Sequence, residues 1–316
     1  MQQTRIEQGL PYYRKFAETW PTVAALAAAD EQEILKLWQG LGYYSRARNL
    51  HNTAKEIAGS HNGRFPGSRE ALLGLKGIGE YTAAAIASIA FDQPTPVVDG
   101  NVTRFVARYC GITAPAGLPA TRRLIHAFAV ANLDPRHPGD FNQAMMEFGA
   151  MVCTPVNPKC SQCIFSPGCN ALAGHLVDSI PVRLAKPPVR QRNLHYLVIT
   201  FYDAQGLGIF LNRRTGNDIW KNLFDFPMVE SSGAGEMLWE SGFSDFFPSG
   251  PPLFLGVSRL YTHQLTHQKL HARFYRFHAG REMELPFIAV PAGDLPGYPI
   301  PRLVERYLTD YPVAPL

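Results

Sequence analysis

Four of the chain's five cysteines crowd into one short segment, and this feature most restricts the fold. Cys153, Cys160, Cys163 and Cys169 follow the spacing Cys-x6-Cys-x2-Cys-x5-Cys. Four thiolates over so short a span can converge on one inorganic centre, either an iron–sulfur cluster or a tetrahedral zinc ion. Zinc ribbons usually carry two Cys-x2-Cys pairs, whereas only one pair here has that spacing. The fifth cysteine, Cys110, we interpret as a small buried hydrophobe.

A glycine-rich turn, a helix and an aspartate form the second informative stretch. Within the segment 75–81, Gly77 and Gly79 let the backbone bend, and the N–H groups of the following apolar helix can bind a phosphate. Asp99 then stands just ahead of a second predicted helix, 102–109. From the residues alone, a phosphate-binding turn and an ordinary helix hairpin with a glycine turn remain equally open.

The rest of the chain divides by periodicity. At 316 residues it can form one large or two medium domains. Apolar residues recur at helical spacing through 9–109 and 121–152. Residues 181–191 are rich in proline and basic side chains, which indicates an extended linker. Beyond it, β-branched and alternating segments predict a small α+β domain, with strands at 194–200, 207–211 and 270–278.

Composition excludes some classes of protein without selecting one. The net charge of +4 is compatible with nucleic acid binding but is not evidence for it. The N-terminal residues lack the apolar core of a signal peptide, and no apolar run approaches the roughly 18 residues of a membrane span. We therefore expect a cytoplasmic protein without a membrane partner.

Together, these motifs resemble the helix-hairpin-helix DNA glycosylases that carry a [4Fe-4S] cluster. The glycine turn, the Val-Val-Asp-Gly-Asn-Val-x-Arg stretch at 97–104 and the cysteine loop occur in that family's order and spacing. Residues 2–4, 40–50 and 141–147 resemble the motifs of its adenine-specific members, as does a linker followed by a Nudix-like domain. The resemblance extends from residue 2 to about residue 280.

The resemblance implies a mostly α fold followed by an α+β domain. A helix-hairpin-helix glycosylase region would occupy residues 1–180, with a six-helix lobe at about 9–97 and a cluster lobe at about 98–175 flanking a DNA groove. The linker 181–191 would lead to a Nudix-like lesion-recognition domain at 192–316. The family further implies a monomer associated with the bacterial nucleoid.

The implied activity is the removal of adenine mispaired with 8-oxoguanine or guanine in double-stranded DNA, after the base is flipped out of the duplex. Asp99 would stabilise the positively charged sugar, and Asn101 would help to hold the site. Bifunctional relatives carry a lysine where this chain has Tyr81, which cannot form a Schiff base. A monofunctional glycosylase is therefore predicted. The alternatives are an endonuclease III-like glycosylase/lyase and a non-catalytic lesion-binding protein.

Further residues are assigned by the same resemblance. Tyr43 matches a tyrosine that wedges beside the lesion, although a Tyr-Tyr pair after glycine is more often core packing. Glu147 matches a contact to the adenine or its neighbours, although a buried, paired carboxylate would explain it equally well. The four clustered cysteines would ligate the [4Fe-4S] cluster. The other implied DNA contacts are Gln2, Gln3, Gly77, Gly79 and Thr82.

The C-terminal domain is expected to recognise the lesion. Leu265, Thr266 and His267 resemble the family's Phe-Ser-His loop, which recognises 8-oxoguanine. Leucine and threonine keep an apolar contact and a hydroxyl, but the aromatic ring is lost. The alternative is an exposed polar β-turn. The glutamate-rich motif that Nudix hydrolases need for magnesium does not occur in 190–316, so pyrophosphatase activity is not expected.

The sequence departs from the family pattern at its start. The family motif Glu-x-Met-Leu-Gln-Gln-Thr would place the proton-donating glutamate three residues before Met1. Glu7 cannot substitute, because it lies on the other side of Gln-Gln-Thr. One explanation is a start codon placed too late or a truncated chain, and the other is a protein that binds lesions without protonating adenine. We favour the first, because everything downstream keeps the family pattern.

Overall fold

The computed structural model describes residues 4, 6–185, 187–233, 246–247, 252–279 and 285–313. The chain divides into two compact units, which are described separately below. The first comprises residues 1–55 with 187–316, and the second comprises residues 56–186. The lobe, linker and domain limits expected from the sequence stay predictions.

The first half of the chain is helical, as predicted. Asp30 caps one helix by accepting a hydrogen bond from the Gln32 N–H at 2.6 Å, and Ser68 caps another through the Ala71 N–H at 3.3 Å. None of the described helices is both long and apolar enough to cross a membrane. The helices are α1 (Ile6–Thr19), α2 (Val23–Ala28), α3 (Glu31–Leu37), α4 (Tyr44–Ser60), α5 (Arg69–Leu73), α6 (Glu80–Phe91), α7 (Gly100–Tyr109), α8 (Pro119–Asn132), α9 (Pro138–Met151) and α10 (Asn170–Ala173).

The C-terminal domain is an α+β sheet domain, as predicted. Its core is the parallel pair β1–β7, which runs in register from Arg190 opposite Gln268 to Phe201 opposite Ala279. β1 begins at Arg190, so the last two residues of the stretch 181–191 already belong to this strand. The elements are β1 (Arg190–Asp203), β2 (Gly206–Arg213), β3 (Phe224–Asp225), β4 (Met228–Ser231), β5 (Leu253–Val257), β6 (Tyr261–Gln264), β7 (Gln268–Ala279), β8 (Ile288–Pro291) and α11 (Arg302–Asp310).

The first unit packs α3 against one face of this sheet. Tyr196 of β1 stacks on Phe274 of β7 at 4.9 Å between ring centroids, and Tyr307 of α11 stacks on Phe274 at 4.1 Å. Ile34 and Leu35 of α3 are fully buried in the same cluster. Burying each such side chain stabilises the fold by about 1.5–3 kcal/mol, which explains why residues 1–55 belong to this unit.

The second unit is built around α7. Val102, Phe105 and Val106 of this helix are buried and pack against α8 and α9. Phe148 of α9 meets Phe105 edge-on at 4.9 Å and Phe165 of the cysteine loop at 5.1 Å. This aromatic cluster fixes the cysteine loop against α7, the helix whose first residue follows Asp99.

Candidate functional site

The glycine turn forms a helix hairpin between α5 and α6. Gly77 has a φ of +82°, a left-handed conformation that favours glycine. Gly79 precedes α6 without a side-chain cap, and Thr82 lies in the first turn of α6. Arg69 forms an ion pair with Glu80 across the hairpin. The expected hairpin is present, and its binding of a phosphate stays a prediction.

Asp99 is the N-cap of α7 and is held through both carboxylate oxygens. Oδ1 accepts hydrogen bonds from the N–H groups of Asn101 at 2.8 Å and Val102 at 2.7 Å. Oδ2 accepts a third from Asn101 Nδ2 at 2.8 Å. The carboxylate is partly exposed. These three bonds fix the orientation of the carboxylate, and two of them come from Asn101, whose role in the site stays a prediction.

Tyr81 lies close enough to Asp99 to feel its charge. Burial, and secondarily the negative charge of Asp99, raise the pKa of the Tyr81 phenol. Its hydroxyl donates to Met146 Sδ of α9 at 3.7 Å, and 41% of the residue remains exposed. Both residues are thus open to solvent in part, and Tyr81 presents a neutral phenol and no amine.

A buried arginine connects this site to the cysteine loop. Arg104 is 8% exposed, and its Nη2 donates to Asn101 Oδ1 at 2.9 Å and to the Gly149 carbonyl at 2.6 Å. Its Nε donates to the carbonyl of Cys153 at 2.7 Å. A continuous path of hydrogen bonds thus runs from Asp99 through Asn101 and Arg104 to the first cysteine. We did not predict this role, although Arg104 stands in the motif at 97–104.

The approach of α9 to α7 leaves no room for a side chain at Gly149. A Cβ there would lie 2.6 Å from the Asn101 carbonyl oxygen and 2.8 Å from Asn101 Cβ. We expect Gly149→Ala to displace the N-terminus of α7 and to lower the free energy of unfolding by about 1–3 kcal/mol. Circular dichroism in urea measures this. Gly59→Ala on α4 is the matched control, because nothing lies within 4 Å of its Cβ position; equal stability of the two variants would contradict the prediction.

The four clustered cysteines are free thiols that line one cavity. Burial, and then the charges of Cys153, Cys163 and Cys169, raise the pKa of Cys160. The thiolates therefore repel one another unless a positive centre lies between them. Among the described residues, no group of three or more His, Cys, Asp or Glu side chains is already arranged around a single ion position. Four sulfurs around one cavity nevertheless form the donor set that an iron–sulfur cluster requires.

The loop expected to recognise the lesion is the hairpin turn between β6 and β7. The Leu265 N–H donates to the Gln268 carbonyl at 2.8 Å, which closes the turn. Leu265 packs partly against the sheet core, whereas Thr266 and His267 are exposed. The Tyr43 hydroxyl lies 3.1 Å from Thr266 Oγ1. The structure therefore joins two residues that the sequence analysis had assigned separately.

Tyr43 is presented to solvent rather than packed in the core. Half of Tyr43 is exposed, whereas Tyr44 is buried in the core, so the core-packing alternative was wrong for Tyr43 and right for its neighbour. Tyr43 has a φ of +48° and follows Gly42 at +71°, a left-handed pair of residues that turns the chain ahead of α4. The Arg46 guanidinium lies 4.9 Å from the centroid of its ring. The ring is thus exposed, while its face contacts Arg46 and its hydroxyl contacts Thr266.

The remaining predicted residues have simpler outcomes. Glu147 is exposed on α9, so the alternative of a buried, paired carboxylate was wrong. Cys110 is only partly buried, although it packs against the α7 core as expected. Gln2 and Gln3 lie outside the described residues.

Asn142 was missed as a supporting residue. It is 1% exposed on α9, and its Nδ2 donates to the Thr95 carbonyl at 2.9 Å while its Oδ1 accepts from the Val97 N–H at 2.9 Å. These bonds hold the segment that leads to Asp99. The sequence offered no specific signal, because α9 also carries the polar residues Asp140, Gln143 and Glu147.

Two parts of the chain match models of known protein families. Residues 1–127 match the HhH-GPD superfamily of base excision DNA repair proteins, and residues 196–310 match the NUDIX domain. The adenine DNA glycosylase of Homo sapiens is 45% identical over 271 residues, covering 72% of this chain and 50% of that protein. The adenine DNA glycosylase of Schizosaccharomyces pombe is 42% identical over 270 residues, covering 73% of this chain and 58% of that protein.

A solved structure of a thermostable thymine-DNA glycosylase is 29% identical, with a TM-score of 0.51, covering 55% of this chain and 80% of that one. The matched part of the chain spans 50% of the human adenine DNA glycosylase and 58% of the Schizosaccharomyces pombe one.

Proposed function

Since this chain belongs to the HhH-GPD superfamily of base excision DNA repair proteins and also carries a NUDIX domain, we propose that it is an adenine DNA glycosylase. Its substrate is adenine mispaired with 8-oxoguanine or guanine in double-stranded DNA. The observation that carries the proposal is Asp99, whose carboxylate is held by three hydrogen bonds and stays partly exposed. The similarity to adenine DNA glycosylases over 72% of the chain supports it.

Chemically, the site supports cleavage of an N-glycosidic bond. The adenine is flipped out of the duplex, because the bond to its sugar cannot be reached in the stack. As the bond breaks, the sugar develops positive charge, and the preorganised Asp99 carboxylate stabilises that charge. The departing adenine takes up one proton, and water adds to the sugar carbon and gives up another, which completes the hydrolysis. The glycine hairpin before α6 binds the DNA backbone through its N–H groups.

Tyr81 makes the enzyme monofunctional, because a phenol cannot form a Schiff base with the sugar. We expect Tyr81→Lys to place an amine beside Asp99 and to create a covalent intermediate that borohydride traps on DNA. The trapped fraction should exceed background by at least about tenfold. Tyr81→Phe, which adds no amine, is the control. Efficient trapping by the unmodified chain would instead favour an endonuclease III-like glycosylase/lyase.

The proposed activity is tested by single-turnover adenine release from a duplex with one A:8-oxoguanine pair, beside a matched A:T duplex. Affinity for both duplexes is measured in parallel. Release and tighter binding on the lesion duplex support the proposal. Tighter binding without release, both by this chain and by a variant in which Glu-x-Met-Leu replaces Met1, supports the non-catalytic alternative. Equal affinity without release by either protein contradicts both.

We propose that Cys153, Cys160, Cys163 and Cys169 ligate a [4Fe-4S] cluster, whose bound form cross-links the loop. The shared cavity that the four thiols line supports this. The purified protein should be brown, with absorbance near about 400 nm and about four irons per chain. Optical spectra and metal analysis check this, and a colourless, zinc-loaded protein would contradict it.

The NUDIX domain serves lesion recognition in this proposal. Its sequence lacks the magnesium-binding motif of Nudix hydrolases, and its β6–β7 turn presents Thr266 and His267 to solvent. The contact between Tyr43 and Thr266 supports a joint role, in which the tyrosine wedges beside 8-oxoguanine while the loop contacts the base.

A further inference from the structure

Arg108 is a buried cation with no carboxylate partner among the described residues. It is 3% exposed on α7, and its guanidinium donates to three carbonyls: Thr154 at 2.7 Å, Ile180 at 2.9 Å and Pro155 at 3.3 Å. Its one partner with anionic potential is Cys153 Sγ, at 3.4 Å from Nη1. Because a buried charge without a countercharge is strongly destabilising, this arrangement suits a site that carries negative charge when filled.

Arg108 also contacts both ends of the cysteine loop. Its side chain donates to the first cysteine and to the two residues that follow it. Its carbonyl accepts from the thiol of the last cysteine, Cys169, at 3.6 Å. A guanidinium can address several acceptors at once because its five N–H donors form a rigid planar fork, whereas the lysine ammonium is a single point charge.

We infer that Arg108 is a positioning residue for the proposed cluster, which it serves in two ways. It clamps the first ligand's segment, and it supplies a fixed positive charge and an N–H···S bond at Cys153. Positive charge and hydrogen bonds at ligand sulfurs stabilise the more reduced form of a cluster and so raise its reduction potential. The inference rests on the proposed [4Fe-4S] cluster and concerns a residue outside its ligand set.

The experiment compares Arg108→Met with Arg123→Met, which removes the same charge from an exposed position on α8 of the same unit. Both are purified with their cluster and titrated with redox mediators. For Arg108→Met we expect the ratio of reduced to oxidised cluster at a fixed applied potential to fall about tenfold, which is 59 mV for a one-electron couple. Arg123→Met should match the wild type. An unchanged potential in Arg108→Met, or an equal shift in both variants, overturns the inference.

A second variant decides the question if Arg108→Met does not fold. Arg108→Lys keeps the charge but cannot reach Cys153 Sγ and the carbonyls together, so we expect iron to be lost to a chelator at least about threefold faster than in the wild type. Unchanged iron loss together with an unchanged potential overturns the inference. A colourless wild-type protein would instead signal failure of the cluster assignment, before any variant is compared.

Discussion

Replacing Asp99 with asparagine should lower single-turnover adenine release by about 10²–10³-fold, the effect of removing one preorganised electrostatic contact to developing charge. The asparagine carbonyl can still accept from the N–H groups of Asn101 and Val102, so the cap of α7 and the fold should survive. What is lost is the negative charge that faces the sugar, together with the hydrogen bond from Asn101 Nδ2. Affinity for the lesion duplex should change much less than the rate.

The matched control is Asp92→Asn. Asp92 ends α6 in a left-handed conformation with a φ of +51°, a position that suits asparagine, so this variant removes an equal charge from the same unit without touching the site. Rapid-quench measurement of adenine release separates the two variants. If Asp99→Asn released adenine within tenfold of the wild-type rate while Asp92→Asn was unaffected, Asp99 would have no role in charge stabilisation.

The motifs that could be predicted are those in which neighbouring residues act together. Asp99 and Asn101 are two positions apart and meet through a helix cap, so the chain's local conformation alone brings them into contact. The hairpin at Gly77 follows equally from local backbone freedom. The strands β1, β2 and β7 were also foreseeable. β1 and β2 carry continuous apolar runs that are buried on both faces, and β7 alternates between buried and partly exposed residues.

The supporting residues were not predictable, because their partners are distant in sequence. Arg104 bonds the Gly149 carbonyl across 45 positions, and Asn142 holds Val97 across the same separation. Every residue carries a backbone carbonyl, so the sequence does not show which carbonyl will accept a hydrogen bond from a distant side chain. Arg104 and Arg108 are four positions apart on one helix, and two cations on a largely apolar face were the one available signal.

The partner of a buried face is likewise not encoded locally. The spacing of Ile34 and Leu35 predicts that α3 has a buried side, but the same pattern would serve any apolar surface. In the structure these side chains share a core with Tyr196 and Tyr307, more than 150 residues away along the chain. The membership of residues 1–55 in the same unit as the sheet therefore had to come from coordinates.

Breaking the buried ion pair between Arg214 and Asp225 should cause the largest loss of stability in that unit. Asp225 is fully buried, its Oδ2 lies 2.7 Å from Arg214 Nη1, and its Oδ1 accepts from Asn212 Nδ2 at 3.1 Å. Asp225→Ala removes the buried countercharge of this guanidinium, whose side chain is only 9% exposed, and leaves it only the more exposed Asp218, at 2.9 Å from Nη2. We expect the free energy of unfolding to fall by about 3–5 kcal/mol. Asp294→Ala, on an exposed site of the same unit, should change it by less than about 0.5 kcal/mol.

Tryptophan fluorescence in urea follows this unit selectively, because all four tryptophans belong to it. The double variant Asp225→Ala with Arg214→Met removes both charges and should recover part of the loss; no recovery would mean that the loss of the buried countercharge is not the cause. The pH dependence gives an independent check. Burial raises the pKa of Asp225 to about 6, above an unfolded value of about 3.9. The folded state therefore holds this proton more tightly, and its contribution to stability, complete below about pH 4, is lost as the pH rises to about 6. Asp225→Asn removes that component, so the stability of the wild type relative to this variant should decline across the same interval.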